Sequence, residues 1–169
     1  SQIIFAGFGG QGILFSGKFL AYNGLIAEKN VSWLPSYGPE MRGGTCNCHV
    51  ILSDEPVSSP LITKPTVLFA MNQPSVDKFE HKIKPGGTLI YDSFGILNPP
   101  TRKDINIYSI NAMETAAQMK MMKCFNMMIL GGYLKKHPIV ELKSVMDALK
   151  KTLPERHHHL LPVNEEAIL

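Results

Sequence analysis

The sequence predicts an α/β fold: a single Rossmann-like domain over residues 1–169, with a mostly parallel sheet and helices on both faces. Three observations predict it. Short apolar segments typical of buried strands alternate with segments of helical periodicity. The first apolar segment, residues 2–8, runs directly into a glycine-rich turn, and a helical pattern follows that turn. The length of 169 residues suits one domain with a substantial core.

Each element has its own local signal. Apolar or alternating runs predict strands at residues 2–8, 31–36, 46–53, 66–71, 88–92 and 105–110. Helices are expected at residues 12–28, 72–82, 111–136 and 141–153. Pro74 suits the first turn of the second helix. Asn111 and Glu114 resemble a capping box for the third, which is expected to be broken or kinked.

Composition limits the classes of function. The net charge of +3, from 17 basic and 14 acidic residues, is too small to indicate nucleic-acid binding. No apolar run reaches the length that spans a bilayer, and no signal peptide is visible, so a cytoplasmic protein without membrane contact is expected. Cys46, Cys48 and Cys124 are too few for a four-ligand zinc or iron–sulfur site, so no metal is expected and burial on a strand is the simpler explanation for the first two.

The first motif is the glycine turn after the first strand. Gly7, Gly9 and Gly12 match the pattern G-x-G-x-x-G, with Gly10 and Gln11 between them. Such a turn exposes the N–H groups of the next helix, whose partial positive charge suits a phosphate or a carboxylate. The five residues are therefore a candidate anion-binding loop. The alternative is that the glycines serve only the tight strand–helix turn.

An ordinary nicotinamide site needs one more feature that this chain lacks. In a Rossmann unit an acidic residue about 20 positions beyond the glycines holds the ribose hydroxyls. The second predicted strand, residues 31–36, has no carboxylate at its end, and Glu28 and Glu40 fit the position poorly. The sequence therefore disfavours an independent nicotinamide enzyme.

The second motif, residues 36–45, follows that strand. Its glycines and proline favour a defined loop. Arg42 offers a bidentate cation for a carboxylate or phosphate. Glu40 could pair with Arg42, contact a partner or exchange a proton, and Tyr37 suits an interface. An equally simple interpretation is a Glu40–Arg42 pair that only stiffens the loop.

Both motifs also fit a known family. The chain resembles the gamma subunit of 2-oxoacid:ferredoxin oxidoreductases, particularly the 2-oxoglutarate or branched-chain (ketoisovalerate) type. The resemblance rests on motifs that keep their order along the chain: residues 7–14, 33–45, 53–56, 70–75 and 84–87, and more loosely residues 157–164. The first half of the chain carries most of the match.

The resemblance implies a subunit of a heteromeric complex that has no self-contained catalytic residues. Members convert a 2-oxoacid and coenzyme A to acyl-CoA and CO2 and reduce ferredoxin. Thiamine diphosphate, Mg and the iron–sulfur clusters are then expected in partner alpha and beta subunits, with a ferredoxin-like delta subunit as a further candidate partner. The alternative is a stand-alone nucleotide- or CoA-binding module with a regulatory or scaffolding role, and two isolated chains could also pair.

The resemblance also suggests which loops act. The second motif would face the active site or a partner subunit, and Arg42 would favour the oxoacid carboxylate or the CoA phosphates. The candidate residues of this loop are Ser36, Tyr37, Gly38, Pro39, Glu40, Arg42, Gly43 and Gly44. Asn72 and Gln73 form a second candidate loop. The run His157-His158-His159 is expected at a loop or interface, because three adjacent side chains cannot all reach one ion.

Overall fold

The computed structural model describes residues 1–37, 45–141 and 144–169. Its centre is a six-stranded sheet in the order β2-β3-β1-β4-β5-β6. The strands are β1 Gln2–Phe8, β2 Asn30–Tyr37, β3 Thr45–Ser53, β4 Val67–Ala70, β5 Thr88–Asp92 and β6 Asn106–Ile110. The pairs β1–β4, β4–β5 and β5–β6 are parallel. The predicted α/β fold with a mostly parallel sheet is confirmed.

Helices fill the connections between strands. In the described ranges the α-helices are α1 Ile13–Ile26, α2 Gln73–Phe79, α3 Ala112–Gln118, α4 Phe125–Lys136, α5 Val145–Thr152 and α6 Leu161–Ile168. The stretch predicted as one broken helix is α3 and α4, separated by the 3-10 turn Met122–Cys124. Lys120, at φ 56°, marks the break. The unassigned tail forms the 3-10 helix Glu155–Leu160 and then α6.

Strand β3 distinguishes this sheet from that of a Rossmann unit. It lies between β1 and β2 and runs antiparallel to both. Only residues 38–44 separate β2 from β3, and a connection this short joins antiparallel neighbours, whereas a parallel pair needs a crossover of a dozen or more residues. The end of β2 is therefore one strand removed from β1. In a Rossmann unit, the acid at the end of the second strand holds the ribose of a nucleotide bound at the glycine turn. Here β2 does not adjoin that turn, so the lack of an acid at its end does not have the same significance for nucleotide binding.

The two faces of the sheet are covered unequally. One face packs against α1 and α3 to α6, and its core includes the stacked rings of Phe5 and Phe69, whose centroids are 4.5 Å apart. The other face packs mainly against α2, through Val76 and Phe79. Within the described residues, no helix is long and apolar enough to cross a bilayer.

Candidate functional site

The carboxyl edge of the parallel strands brings the two motifs together. β1 ends at Phe8, and Phe8 is paired with Thr45, the first residue of β3. Tyr37, the last residue of β2, is paired with Cys46. Thr45 therefore lies beside the end of β1, and Tyr37 lies one strand farther away at the same edge of the sheet. This is the edge where α/β sheets commonly bind ligands.

Most of the second motif lies outside the described residues. These are Gly38, Pro39, Glu40, Arg42, Gly43 and Gly44. Ser36 is exposed and is paired with Asn47 of β3. The predicted roles of Glu40 and Arg42 stay predictions.

The glycines of the first motif have separate structural reasons. An added Cβ at Gly7 would lie 2.6 Å from Gln11 Oε1 and 2.7 Å from Ile13 Cδ1, so no side chain fits there. Gly12 has φ 75°, and a Cβ there would overlap the side-chain amide of Asn126. Gly10 has φ 93°, and no atom of the described residues lies within 4 Å of a Cβ added there. The turn alone explains Gly7 and Gly12, while Gly10 leaves room for a ligand to approach the backbone.

Gln11 links two strands of the sheet. Its Oε1 accepts a hydrogen bond from the Phe8 amide at 2.7 Å, and its Nε2 donates to the Met71 carbonyl at 3.2 Å. The side chain thus joins the end of β1 to the residue after β4. Both of its polar atoms are engaged within the protein, so its contribution here is to hold the turn.

The N-terminus of α1 opens at this edge. Among the residues that the structure describes, no side chain caps it, and its first turn has no acidic residue. A cavity of about 160 Å³ lies there, lined by Gly9, Gly10, Gly12, Ile13, Leu14, Phe15 and Cys46. A fourteen-residue helix directs a partial positive charge toward this cavity. The arrangement favours a small anionic group over a cation.

Asn126, in α4, is a supporting residue that sequence reasoning missed. Its buried Nδ2 donates to the Gly12 carbonyl at 3.3 Å and to Ser16 Oγ at 2.9 Å. These contacts hold the start of α1 from a residue 114 positions away. No local pattern could reveal this pairing, because only the packing of α4 against α1 creates it.

Asn72 and Gln73 differ in whether the side-chain amide keeps an unpaired hydrogen-bond donor. Asn72 caps α2, since its Oδ1 accepts from the Ser75 amide at 2.9 Å. Its buried Nδ2 has no partner within the described residues. Gln73 exchanges two hydrogen bonds with the backbone of Asn98, at 3.0 and 3.1 Å. Gln73 therefore fixes a neighbouring loop, while Asn72 keeps an unused donor near the carboxyl edge.

Asp92, at the end of β5, has a structural role that the sequence analysis does not predict. Its carboxylate accepts from the amides of Phe94 at 2.9 Å and Met113 at 3.0 Å. Burial raises the pKa of this carboxyl group, and the two amide hydrogen bonds oppose that shift. The predicted capping box is wrong in its detail: Asn111 and Glu114 bind each other through their side chains, and Asp92 supplies the carboxylate at the start of α3.

The three cysteines are free and buried, and the burial expected of Cys46 and Cys48 on a strand is confirmed. Burial raises the pKa of Cys48 to about 12, so its thiol stays protonated at neutral pH. Within residues 1–37, 45–141 and 144–169, no group of three His, Cys, Asp or Glu side chains could hold a metal ion. The histidine run lies in the 3-10 helix Glu155–Leu160, where the ring nitrogen Nε2 of His158 is 3.0 Å from the Leu153 carbonyl.

Comparison with known proteins gives consistent relatives. The chain is 38% identical over 130 residues to ketoisovalerate oxidoreductase subunit VorA of Methanothermobacter marburgensis, covering 77% of this chain and 27% of that protein. It is 31% identical over 157 residues to 2-oxoglutarate synthase subunit KorC of Methanocaldococcus jannaschii, covering 91% of this chain and 84% of that subunit. The chain therefore spans about a quarter of the first relative and most of the second.

A solved structure extends the likeness to three dimensions. The 2-oxoglutarate:ferredoxin oxidoreductase from Magnetococcus marinus, determined with 2-oxoglutarate, coenzyme A and succinyl-CoA bound, superposes with a TM-score of 0.87 at 28% identity. The match covers 99% of this chain and 29% of that one. The model of one family, described as pyruvate ferredoxin/flavodoxin oxidoreductase, matches residues 2–169. With nearly its whole length matched, the chain belongs to the pyruvate ferredoxin/flavodoxin oxidoreductase family.

Proposed function

We propose that this chain is the gamma subunit of a multisubunit 2-oxoacid:ferredoxin oxidoreductase. The complex would convert a 2-oxoacid, coenzyme A and oxidised ferredoxin to acyl-CoA, CO2 and reduced ferredoxin. 2-Oxoglutarate is the favoured oxoacid, because the relative that this chain covers over most of its length is a 2-oxoglutarate synthase subunit. The family match supports this function over that of a stand-alone module.

One observation carries the proposal for the site. The strand register puts the glycine turn and both ends of the second motif at one edge of the sheet. In the described part of that edge, the accessible backbone at Gly10, the start of α1 without a side-chain cap and the unpartnered Nδ2 of Asn72 are electropositive features. They suit a phosphate of coenzyme A or the carboxylate of the oxoacid.

The chain's own residues would bind and orient rather than react. The α1 N-terminus would stabilise an anionic group electrostatically, and Arg42 would add a bidentate cation. Gln11 and Asn126 would position the turn without touching the ligand, since their polar groups bond the protein. Precise placement of a substrate can contribute several kcal/mol to a reaction without any proton transfer.

Thiamine diphosphate does not fit the described part of this chain. The Mg that accompanies the diphosphate takes oxygen ligands, and the described residues bring no three metal-ligating side chains together. When bound, thiamine diphosphate supplies carbanion stabilisation for decarboxylation. We assign it, with Mg and the iron–sulfur clusters, to the alpha and beta subunits, with a ferredoxin-like delta subunit as a further partner.

Reconstitution tests the proposal. Purified alpha and beta partners, with any iron–sulfur subunit present in every sample, are assayed with and without this chain. CoA-dependent oxidation of 2-oxoglutarate and of branched-chain oxoacids is followed with a viologen dye. We expect activity to require the chain and 2-oxoglutarate to be preferred. Full activity without the chain, or failure of the chain to bind the partners, would overturn the subunit assignment.

A second arm separates the stand-alone alternative. The isolated chain is titrated with coenzyme A, 3′-dephospho-CoA and ADP by calorimetry. We expect weak or no binding until the partners complete the site. Tight binding by the chain alone, together with no association with the partners, would favour the independent nucleotide- or CoA-binding module.

A further inference from the structure

A second concave region lies on the sheet face that α2 covers only in part. It is a groove of about 740 Å³, within the range of small-molecule sites. Its lining in the described ranges is Ser36, Asn47, His49, Leu61, Ile62, Thr63, Lys64, Lys78, Phe79, His81, Lys82, Ile83, Lys84, Pro85 and Arg102. No aspartate or glutamate is among these lining residues. The groove begins at Ser36 near the carboxyl edge and extends to Lys84 and Pro85, just before β5.

Four lysines give the groove its charge: Lys64 from the loop before β4, Lys78 and Lys82 from the helical segment, and Lys84 before β5. Within the described residues none of the four forms a salt bridge. The Nζ atoms of Lys78 and Lys82 both approach the ring of Phe79, at 5.2 and 5.4 Å from its centroid. Both ammonium groups therefore lie beside the Phe79 side chain, which lines the groove.

Arg102 has a different role from the lysines. Its guanidinium binds the Asp104 carboxylate, with Nε 2.8 Å from Oδ1. Its Nη1 donates to the carbonyls of Glu80 at 3.0 Å and Ile83 at 2.6 Å. Arg102 therefore fixes the wall, and the lysines supply the uncompensated positive charge.

The floor of the groove holds a buried polar side chain with an unused donor. His49, on β3, is only 8% exposed, and its Nδ1 accepts from the Ile62 amide at 2.9 Å. The neutral ring therefore carries its proton on Nε2. His49 lines the groove, and the hydrogen bond of its ring within the described residues is made by Nδ1, which leaves the Nε2 donor available. Burial, followed by the charges of Lys82 and Lys78, lowers the pKa of His49.

We propose that this groove is a binding site for a small phosphorylated ligand, separate from the glycine turn. His49 Nε2 would donate to a phosphate oxygen at the floor, and Lys78 and Lys82 would neutralise the charge from the wall. Lysine binds phosphate as a point charge without demanding a planar fork, which suits this arrangement. The donor at the base of a concave site favours a compact ligand over an acidic surface of another protein, which would meet the rim lysines first.

Pyrophosphate is the probe that tests the site on the full chain. Binding is measured by calorimetry, and the His49 ring signals are followed by NMR as the pH is varied. We expect saturable binding at one site. A nearby anion favours the charged imidazole, so the pKa of His49 should rise from its lowered value when pyrophosphate binds.

A matched pair of double variants makes the test specific. Lys78→Gln/Lys82→Gln should weaken pyrophosphate binding about tenfold or more, since charged hydrogen-bond partners are lost. Lys150→Gln/Lys151→Gln removes the same charge from α5, on the other face of the sheet, and should leave binding unchanged. Both variants exchange surface lysines, and circular dichroism checks that they fold.

Four outcomes would overturn the proposal. Non-saturating binding, or an equal loss in the two double variants, would mean a general charge effect. An unchanged His49 pKa on saturation would place the ligand elsewhere. A polyglutamate peptide that binds more tightly than pyrophosphate and displaces it would make the groove a docking surface for an acidic protein. This test is independent of the subunit assignment, because neither the calorimetry nor the NMR titration uses the partner subunits.

Discussion

Single side chains set the geometry of the carboxyl edge. Asn126 donates to the Gly12 carbonyl, and Asp92 accepts from the Met113 amide. The first turns of α1 and α3 are therefore each fixed by a residue that is distant in the sequence. Gln11 ties β1 to the end of β4 through its two polar atoms. Each of these groups is buried or engaged, and removing one partner would leave another polar group unsatisfied.

Gly12→Ala should destabilise the protein by about 2–4 kcal/mol, because φ 75° is strained for alanine and the new Cβ would meet the Asn126 amide. Gly10→Ala is the control: its φ of 93° is also positive, but the space is open, so the cost should be about 1–2 kcal/mol. The free energies of unfolding in urea measure both. Equal losses would mean that the contact with Asn126 contributes nothing.

Asp92→Asn should change the pH dependence of stability. Burial raises the pKa of Asp92 in the folded protein above its ordinary value of 3.8, so the folded state binds the proton more tightly than the unfolded state. This contribution to stability is full below pH 3.8 and is lost as pH rises through the folded pKa. The free energy of unfolding, measured from below pH 3.8 to above the folded pKa of Asp92, should decline in the unmodified protein and should not show this decline in Asp92→Asn. Parallel curves for the two proteins would contradict the prediction.

Helix α1 depends on strand β3 through two glycines. Gly17 and Gly24 lie seven residues apart on α1 and so share one face of the helix. A Cβ at Gly17 would meet Cys48 Sγ and lie 3.2 Å from Val50 Cγ2, and one at Gly24 would meet Leu52. The reversed strand therefore packs directly against the backbone of the helix.

Gly17→Ala should destabilise by about 1–3 kcal/mol through overpacking against β3. Gly132→Ala is the matched control in α4: Gly132 is exposed, and its added Cβ would meet only the end of the Ile110 side chain at 3.0 Å. Alanine's helix propensity should make that change neutral or favourable by up to about 1 kcal/mol. Thermal unfolding compares them. Adding Cys48→Ala to the Gly17→Ala variant should restore part of the lost stability, because it removes the sulfur that the new Cβ meets. If stability does not recover, the clash is with another residue.

At the scale of the whole molecule, the sheet has two unlike surfaces. The carboxyl edge gathers the glycine turn and the ends of the second motif. The thinly covered face carries the groove with four lysines. Ser36 lies where the two regions approach each other, and each region presents positive groups that suit an anionic ligand.

Arg42→Ala should raise the KM for coenzyme A or for the oxoacid about tenfold or more in the assembled complex, because a charge-assisted contact with an anionic group is lost. Arg156→Ala is the control, since Arg156 is exposed and binds the ring of His157 far along the chain. Steady-state kinetics with each substrate varied in turn measures the effect. Unchanged KM values for both ligands would leave Arg42 an architectural role.

The sequence by itself determined the elements and the family. The bounds predicted for β1 and β5 coincide with the observed Gln2–Phe8 and Thr88–Asp92, and the break between α3 and α4 was expected. The glycine segment lies between β1 and α1, as its position in the sequence predicts, and its anion binding stays a prediction. These features depend on residues close together in the chain, where periodicity and backbone freedom are sufficient.

The tertiary structure decided strand order and the supporting contacts. The reversal of β3 between β1 and β2 depends on hydrogen bonds between strands, and α/β alternation does not specify it. Asn126 reaches Gly12 across 114 positions, and Asp92 replaces the expected cap from 21 positions away. The basic groove assembles lysines from a loop, a helical segment and the approach to β5 around a histidine of β3. Such sites arise only when packing brings separated residues together, because no short window of sequence contains them.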